Sequence, residues 1–172
     1  MQEIDLIKTN FVESKVPFTL NTTLWDNFDK SIHSLVASVD RWTEVKLLNA
    51  DGSKHPELSS IPNDKGGIYL IIAKSNILLE SHIYLMYIGR AHCTTSQNLR
   101  KRCSQYPTEK ERPKVTRMIR QWGQYLYIRY LPMEDNIIID KIEAELINKI
   151  LPPFNDVIPD QQLRDLVKAF SV

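Results

Sequence analysis

The sequence predicts a small α+β domain: a three-stranded, mainly antiparallel sheet flanked by helices, with an N-terminal helical extension. Two consecutive runs, residues 68–72 and 83–88, are β-branched, aromatic and apolar throughout, as in strands buried on both faces. Apolar residues at helical spacing precede and follow them. The chain has 172 residues, 42% of them hydrophobic and 25% charged, enough for one domain to bury a core without disulfides or a metal.

Along the chain, residues 1–62 read as the helical extension. Asn21-Thr22-Thr23 suits a helix N-cap, and Leu24, Trp25, Phe28, Ile32, Leu35 and Val36 follow at helical spacing. Residues 51–63 are rich in turn formers and read as a loop. The main domain, 63–158, opens at Gly66-Gly67. Its first strand covers 68–72, a linker short enough for a hairpin covers 74–81, and the second strand, 83–88, ends at Gly89. Two helices follow, at 96–105 and 113–122, the latter with Pro113 at a first helical position. A third strand at 125–130 is stopped by Pro132. A helix over 135–150 carries Ile138, Ile142, Leu146 and Ile150 on one stripe, and Pro152-Pro153 breaks it. Residues 159–172 supply a terminal helix, at 161–170, that packs on the domain.

Several classes are excluded at this level. The longest apolar runs, 68–73 and 83–89, fall far short of the roughly 18 residues that span a bilayer, so no membrane is expected as partner. The first ten residues, MQEIDLIKTN, lack the basic start, apolar middle and cleavage site of a signal peptide. Two cysteines, Cys93 and Cys103, make no disulfide framework, and the expected location is a reducing cytoplasm. With His92 they suggest zinc, but the spacing is wrong for a knuckle and a buried or half-exposed thiol is the alternative.

The formal net charge of +1 argues, on its face, against a polyanionic partner. Its distribution argues otherwise. Residues 90–120 hold nine basic side chains, Arg90, Arg100, Lys101, Arg102, Lys110, Arg112, Lys114, Arg117 and Arg120, against Glu109 and Glu111. That segment carries +7 and the remainder −6. Such density suits phosphate contacts, although for a charge run alone a solvated helical face is the commoner reading. All seven tyrosines lie between 69 and 130. Strand packing accounts for most, but Tyr69 and Tyr87 sit among aliphatics, each in a motif with a glycine, where a phenol needs a polar partner.

Gly67-Ile68-Tyr69 and Tyr87-Ile88-Gly89, on the two consecutive strands, resemble the half-motifs that name the GIY-YIG nuclease family. Residues 99–106, Leu-Arg-Lys-Arg-Cys-Ser-Gln-Tyr, resemble the family's first helix. Arg102 stands at its essential arginine and Tyr106 at a position that takes His or Tyr. Glu143, with Pro153-Phe154-Asn155 beyond it, resembles the metal-binding helix and following asparagine. The resemblance covers residues 66–156. Tyr106, and Asn155 twelve residues after Glu143, bring it nearest to the N-terminal nuclease domain of the bacterial excision-repair incision subunit. Seventeen residues separate Tyr69 from Tyr87 and fourteen separate Tyr87 from Arg102, more than in compact members. Family members that are site-specific restriction enzymes also carry such insertions and N-terminal helices. No appended DNA-binding module is recognisable, which disfavours the homing-endonuclease architecture.

The resemblance implies the GIY-YIG fold and a metal-dependent endonuclease that hydrolyses DNA phosphodiesters, in restriction, defence or mobile-element conflict. It implies one divalent ion per site, Mg²⁺ or Mn²⁺, held by Glu143, and no organic cofactor. Arg102 would clamp a phosphate oxygen, with Arg100 as competitor for that task. Tyr69 would be the general base, Tyr87 would orient the water or Tyr69, and Tyr106 would bind phosphate or relay a proton. Asn155 would brace its neighbours. Glu145, two residues from Glu143, would face another side, toward solvent. DNA contacts would come from Arg90, His92, Arg100, Lys101, Lys114, Arg117 and Arg120. Cutting both strands would need a homodimer or two binding events. The alternatives are a catalytically inactive nucleic-acid-binding module on the same fold and a structure-specific repair nuclease.

Overall fold

The two apolar runs become neighbouring strands of one sheet. A computed structural model describes residues 15–78 and 81–170. In it β2 (Gly66–Lys74) and β3 (Ile83–Ala91) pair antiparallel, and β4 (Leu126–Met133) pairs antiparallel with the other side of β2. A fourth strand, β1 (Thr43–Lys46), pairs antiparallel with β4, so the order is β1-β4-β2-β3 and β3 is an edge.

The architecture is α+β, as expected, but the sheet has four strands where three were expected. The extra strand comes from the segment expected to be helical. Thr43-Glu44-Val45-Lys46 buries only Val45 and is four residues long, so its own pattern is faint and pairing with β4 decides it. All three expected strands outrun their expected ends, β2 running to Lys74 rather than 72. β3 passes through Gly89, and β4 passes through Pro132. The proline is tolerated because β1 stops opposite Tyr130, leaving that flank of β4 free of a ladder to interrupt.

The helices start where side chains cap them. In the lead-in, α1 (Thr22–Asp26) follows Asn21, and the Asp29 carboxylate accepts the N–H of Ser31 at 2.7 Å to start a separate helix, α2 (Lys30–Val36). The N-terminal part of the expected extension, 1–14, lies outside the described residues. Asn98 accepts the Lys101 N–H at 2.9 Å and sets the start of α3 (Leu99–Ser104), which is shorter than the 96–105 expected. α4 (Pro113–Trp122) and α6 (Gln161–Phe170) match their expected spans. α5 (Asn136–Ile150) is capped by Asp135, and its buried stripe is Ile139, Ile142, Leu146 and Ile147. Ile138, expected in that stripe, is 37% exposed.

Two layers cover the sheet. On one face α5 packs on Ile68 and Ile88, and Phe28, Ile32, Leu35, Val36 and Trp42 pack against the same cluster. On the other face Leu99, Cys103, Tyr106, Val115, Met118 and Phe154 pack on Tyr69, Ile71 and Ile128. Leu47, Leu48, Leu58 and Ile61 belong to that second core, each worth about 1.5–3 kcal/mol of burial. The described residues of that extension, 15–62, are therefore built into both layers and the sheet.

The end of α5 shapes the edge of the sheet. Leu151 adopts the left-handed conformation, with φ of 53°, and Pro152-Pro153 prevents the helix from resuming. The chain then runs beside β3, where the Phe154 N–H donates to the Met86 carbonyl at 3.1 Å. No helix among the described residues is long and apolar enough to cross a membrane.

Candidate active site

Three phenols and two guanidiniums converge on the β2–β3 face that α3 covers. Register places Tyr69 opposite Gly89 and Ile71 opposite Tyr87, with a bulge next to Ile71 on the β2–β3 ladder. Tyr106 enters from the turn after α3. The Tyr69 and Tyr106 hydroxyls lie 2.8 Å apart, and the Arg102 Nε donates to the Tyr69 oxygen at 3.2 Å. Tyr87 stacks on Tyr69 at 6.5 Å between centroids and meets Tyr106 edge-on at 5.9 Å. From the opposite flank Arg112 Nη1 donates to the Tyr87 hydroxyl at 3.3 Å.

Two motif glycines have packing reasons. A Cβ on Gly89 would come within 2.5 Å of the Tyr69 hydroxyl, so only glycine leaves room for that ring. At Gly67, where φ is +152°, a Cβ would meet the Leu131 carbonyl oxygen at 2.2 Å.

Burial divides the phenols. Tyr69 and Tyr106 are fully buried, and burial pushes both hydroxyls above the usual phenol range. For Tyr69 the neighbouring Tyr87 adds to this and Arg102 opposes it, so the group stays neutral. Tyr87 is half-buried and reaches the surface. The Cys103 thiol is also buried and pushed up, which leaves it inert.

Glu143 lies elsewhere. Strand alternation turns Tyr87 and Gly89 toward one face of β3, and Ile88 and Arg90 toward the other, where α5 packs. There the Arg90 Nε lies 2.6 Å from Glu143 Oε2 and 2.8 Å from Asp140 Oδ1. His92 Nε2 lies 2.6 Å from the same Asp140 oxygen. Burial raises the Glu143 carboxyl above its ordinary range; Arg90 opposes this and Asp140 adds to it. No hydrogen bond or ion pair among the described residues joins this carboxylate group to the tyrosines.

Asn155 ties the edge strand to the chain beyond α5. Its Oδ1 accepts the Ile88 N–H at 2.9 Å, and its Nδ2 donates to the Ile88 carbonyl at 2.8 Å. Glu145, expected in solvent, is half-buried because it accepts the Asp29 N–H at 3.0 Å and faces Lys149 at 3.8 Å. The cationic residues separate by function in the fold. Arg100 donates to the Ile61 carbonyl at 2.5 Å, which leaves Arg102 as the arginine of α3 that meets the tyrosines. Lys101, Lys114, Arg117 and Arg120 are exposed; Lys114 faces Asp156 at 3.4 Å and Arg117 lies 5.5 Å over the Phe154 ring.

Three residues of these clusters escape a sequence reading: Asp140, Glu109 and Arg112. Asp140 stands one helical turn before Glu143, and Glu109 three residues before Arg112, so i,i+3 spacing was the available signal for both pairs. A cavity of about 810 Å³ lies toward the far end of β2 and β3, among Phe18, Tyr84, Trp122 and Tyr125.

For a divalent ion the fit rests on Asp140 and Glu143. Two carboxylates one turn apart already share a cation, the Arg90 guanidinium, so their combined field selects positive charge. Among the described residues no cluster of three or more His, Cys, Asp or Glu is arranged for a metal, and Mg²⁺ needs only one or two carboxylates. Compared with family models, curated proteins and solved structures, the chain gives no match.

Proposed function

We propose that this chain is a GIY-YIG-type endonuclease that hydrolyses DNA phosphodiesters with one bound Mg²⁺ or Mn²⁺. One observation carries the reading. Tyr69, Tyr87, Arg102 and Tyr106, the residues picked out by the resemblance, come from two strands, a helix and a turn and meet within hydrogen-bond or ring-contact distance.

The chemistry follows from burial and charge. Arg102 holds a non-bridging phosphate oxygen, for which its planar fork is suited. Tyr69 is sealed and neutral, so its work is to fix Arg102 and Tyr106 rather than to meet water. The proton-transfer role goes instead to Tyr87, the half-buried one of the three phenols, which would take the water's proton while giving its own to a phosphate oxygen. Glu143 and Asp140 hold the divalent ion in place of the Arg90 contact. When bound, the ion stabilises charge on the phosphoryl oxygens and lowers the pKa of water. Glu143 and the tyrosines lie on opposite faces of the edge strand β3, so this reading requires a phosphate seated past the Asn155 segment that closes the edge at Ile88. The exposed Lys101, Lys114, Arg117 and Arg120 supply contacts to the DNA backbone.

The Arg90 contact also favours a second reading, an inactive nucleic-acid-binding module, since it satisfies both carboxylates without a metal. One experiment separates the two. Supercoiled plasmid and single-stranded DNA are incubated with the protein, with Mg²⁺ or EDTA, alongside Glu143→Ala and Tyr69→Phe. Mg²⁺-dependent cutting that both variants lose is the expected result. Binding without cutting of any substrate supports the module, and cutting that survives Glu143→Ala removes the metal assignment.

A further inference from the structure

The two strand tyrosines of the site are each held by an arginine. Arg102 donates to Tyr69 at 3.2 Å and Arg112 donates to Tyr87 at 3.3 Å. The Tyr106 ring lies between them, 5.8 Å from one guanidinium and 5.0 Å from the other. Only the first pair contains the arginine that the sequence motif supplies.

Arg112 is not a surface cation that happens to pass nearby. Its Nε and Nη2 both donate to Glu109 Oε2, at 2.8 and 2.5 Å. The Glu109 carboxylate is itself fixed, because its other oxygen accepts the N–H groups of Glu111 at 2.9 Å and Arg112 at 3.2 Å. The Glu109 side chain is 11% exposed and that of Arg112 24%. With two of its three nitrogens committed to Glu109, the guanidinium cannot swing toward solvent, and Nη1 is left for the phenol.

We propose that Arg112, anchored by Glu109, is a positioning residue that fixes the Tyr87 phenol for its part in phosphodiester cleavage. This rests on the endonuclease reading. By accepting from Arg112, the Tyr87 oxygen has one lone pair committed, which restricts the directions left to its proton and remaining lone pair. The guanidinium also stands beside that oxygen when it carries negative charge. A lysine keeps the charge but lacks the fork, and it cannot hold Glu109 and Tyr87 together.

The test is a double-mutant cycle on DNA cleavage. Arg112→Ala is expected to lower kcat by about 10- to 100-fold with little change in KM, the scale of a misplaced reacting group. Arg112→Lys should behave like Arg112→Ala. In a Tyr87→Phe background Arg112→Ala should cost far less than in wild type, the small remainder passing through its contact with the Tyr106 ring. Independent multiplication of the two losses, a rise in KM alone, or full rescue by lysine would each overturn the proposal in favour of a plain phosphate contact. Tyrosine-labelled protein gives a readout that needs no cleavage. The Tyr87 ring resonance, assigned with Tyr87→Phe, should move and broaden in Arg112→Lys while that of Tyr69 stays in place. An unmoved Tyr87 resonance sinks the positioning role even where the wild type cuts, whereas a moved one in a protein that cuts nothing shows that the endonuclease reading failed instead.

Discussion

If the chain is the proposed endonuclease, Glu143 is the residue at which stability and function pull in opposite directions. Burial raises its carboxyl above the ordinary range even with Arg90 beside it, so the folded chain holds that proton more tightly than the unfolded chain. The sign of the linkage follows: stability is lost as pH rises from the ordinary carboxylate range through the raised folded value, and it stays lower above it. Glu143→Gln removes the ionisation. The variant should therefore melt a few degrees higher than wild type at pH 7, the scale on which about 1 kcal/mol shows in a chain of this length. The two melting points should converge below pH 4. Cleavage by the same variant should fall by at least about 100-fold, the cost typical of losing a charge-stabilising group. Thermal melts across pH, with plasmid cleavage at pH 7.5, check both halves. A variant less stable than wild type at pH 7 contradicts the burial argument, because Arg90 would then be the dominant neighbour.

At the level of elements, the edge strand β3 depends on a segment that is not a strand. Asn155 closes both polar groups of Ile88, a residue with no exposed surface, and Phe154 closes the Met86 carbonyl. Asn155→Ala leaves a buried N–H and a buried carbonyl without partners, at about 1–3 kcal/mol each. Denaturant unfolding should register a loss of about 2–4 kcal/mol. Asn155→Asp should do no better, since a carboxylate cannot donate to the Ile88 carbonyl. A loss under about 0.5 kcal/mol would mean that water replaces the amide. This coupling bears on what a sequence can reveal. The runs at 68–72 and 83–88 are legible because their β-branched, aromatic and apolar residues favour a buried strand, whereas the ends that the strands add at Gly66, Lys74 and Ala91 are not. α4 is legible from Pro113 and its spacing. β1 is not, since four residues with one buried side chain carry no pattern until β4 is beside them. The site divides in the same way. Tyr69 and Tyr87 stand out as phenols among aliphatics, but whether a phenol faces water or protein is decided by Tyr106 and α3, which are distant in sequence. Likewise Arg112 is one cation among nine until Glu109 and Tyr87 single it out.

For the whole molecule, the fold revises what the charge distribution means. Nine cations lie within residues 90–120, but four of them are spent inside the protein. Arg90 neutralises Asp140 and Glu143, Arg100 bonds the Ile61 carbonyl, Arg112 is held by Glu109, and Arg102 faces the tyrosines. The exposed remainder is Lys101, Lys110, Lys114, Arg117 and Arg120, of which Lys114 already faces Asp156. Counterion release scales with the phosphates neutralised, with a slope of about −0.9 per contact on duplex DNA. Nine contacts would give a slope of roughly −8 in log K against log salt, whereas the five exposed cations give about −4 to −5. The acidic remainder of the chain adds no further attraction, and beyond a Debye length of about 8 Å at physiological salt it is screened. Binding of a duplex oligonucleotide in Ca²⁺ or without metal, measured by anisotropy between 50 and 300 mM salt, tests the count. Replacing Lys101 and Arg117 together by alanine should flatten the slope by about 2, one unit for each lost contact, while Arg100→Ala should leave it unchanged. A slope near −8, or one that Arg100→Ala flattens, would mean that the internal arginines leave their partners when DNA arrives, and that binding remodels the site rather than meeting it ready-made.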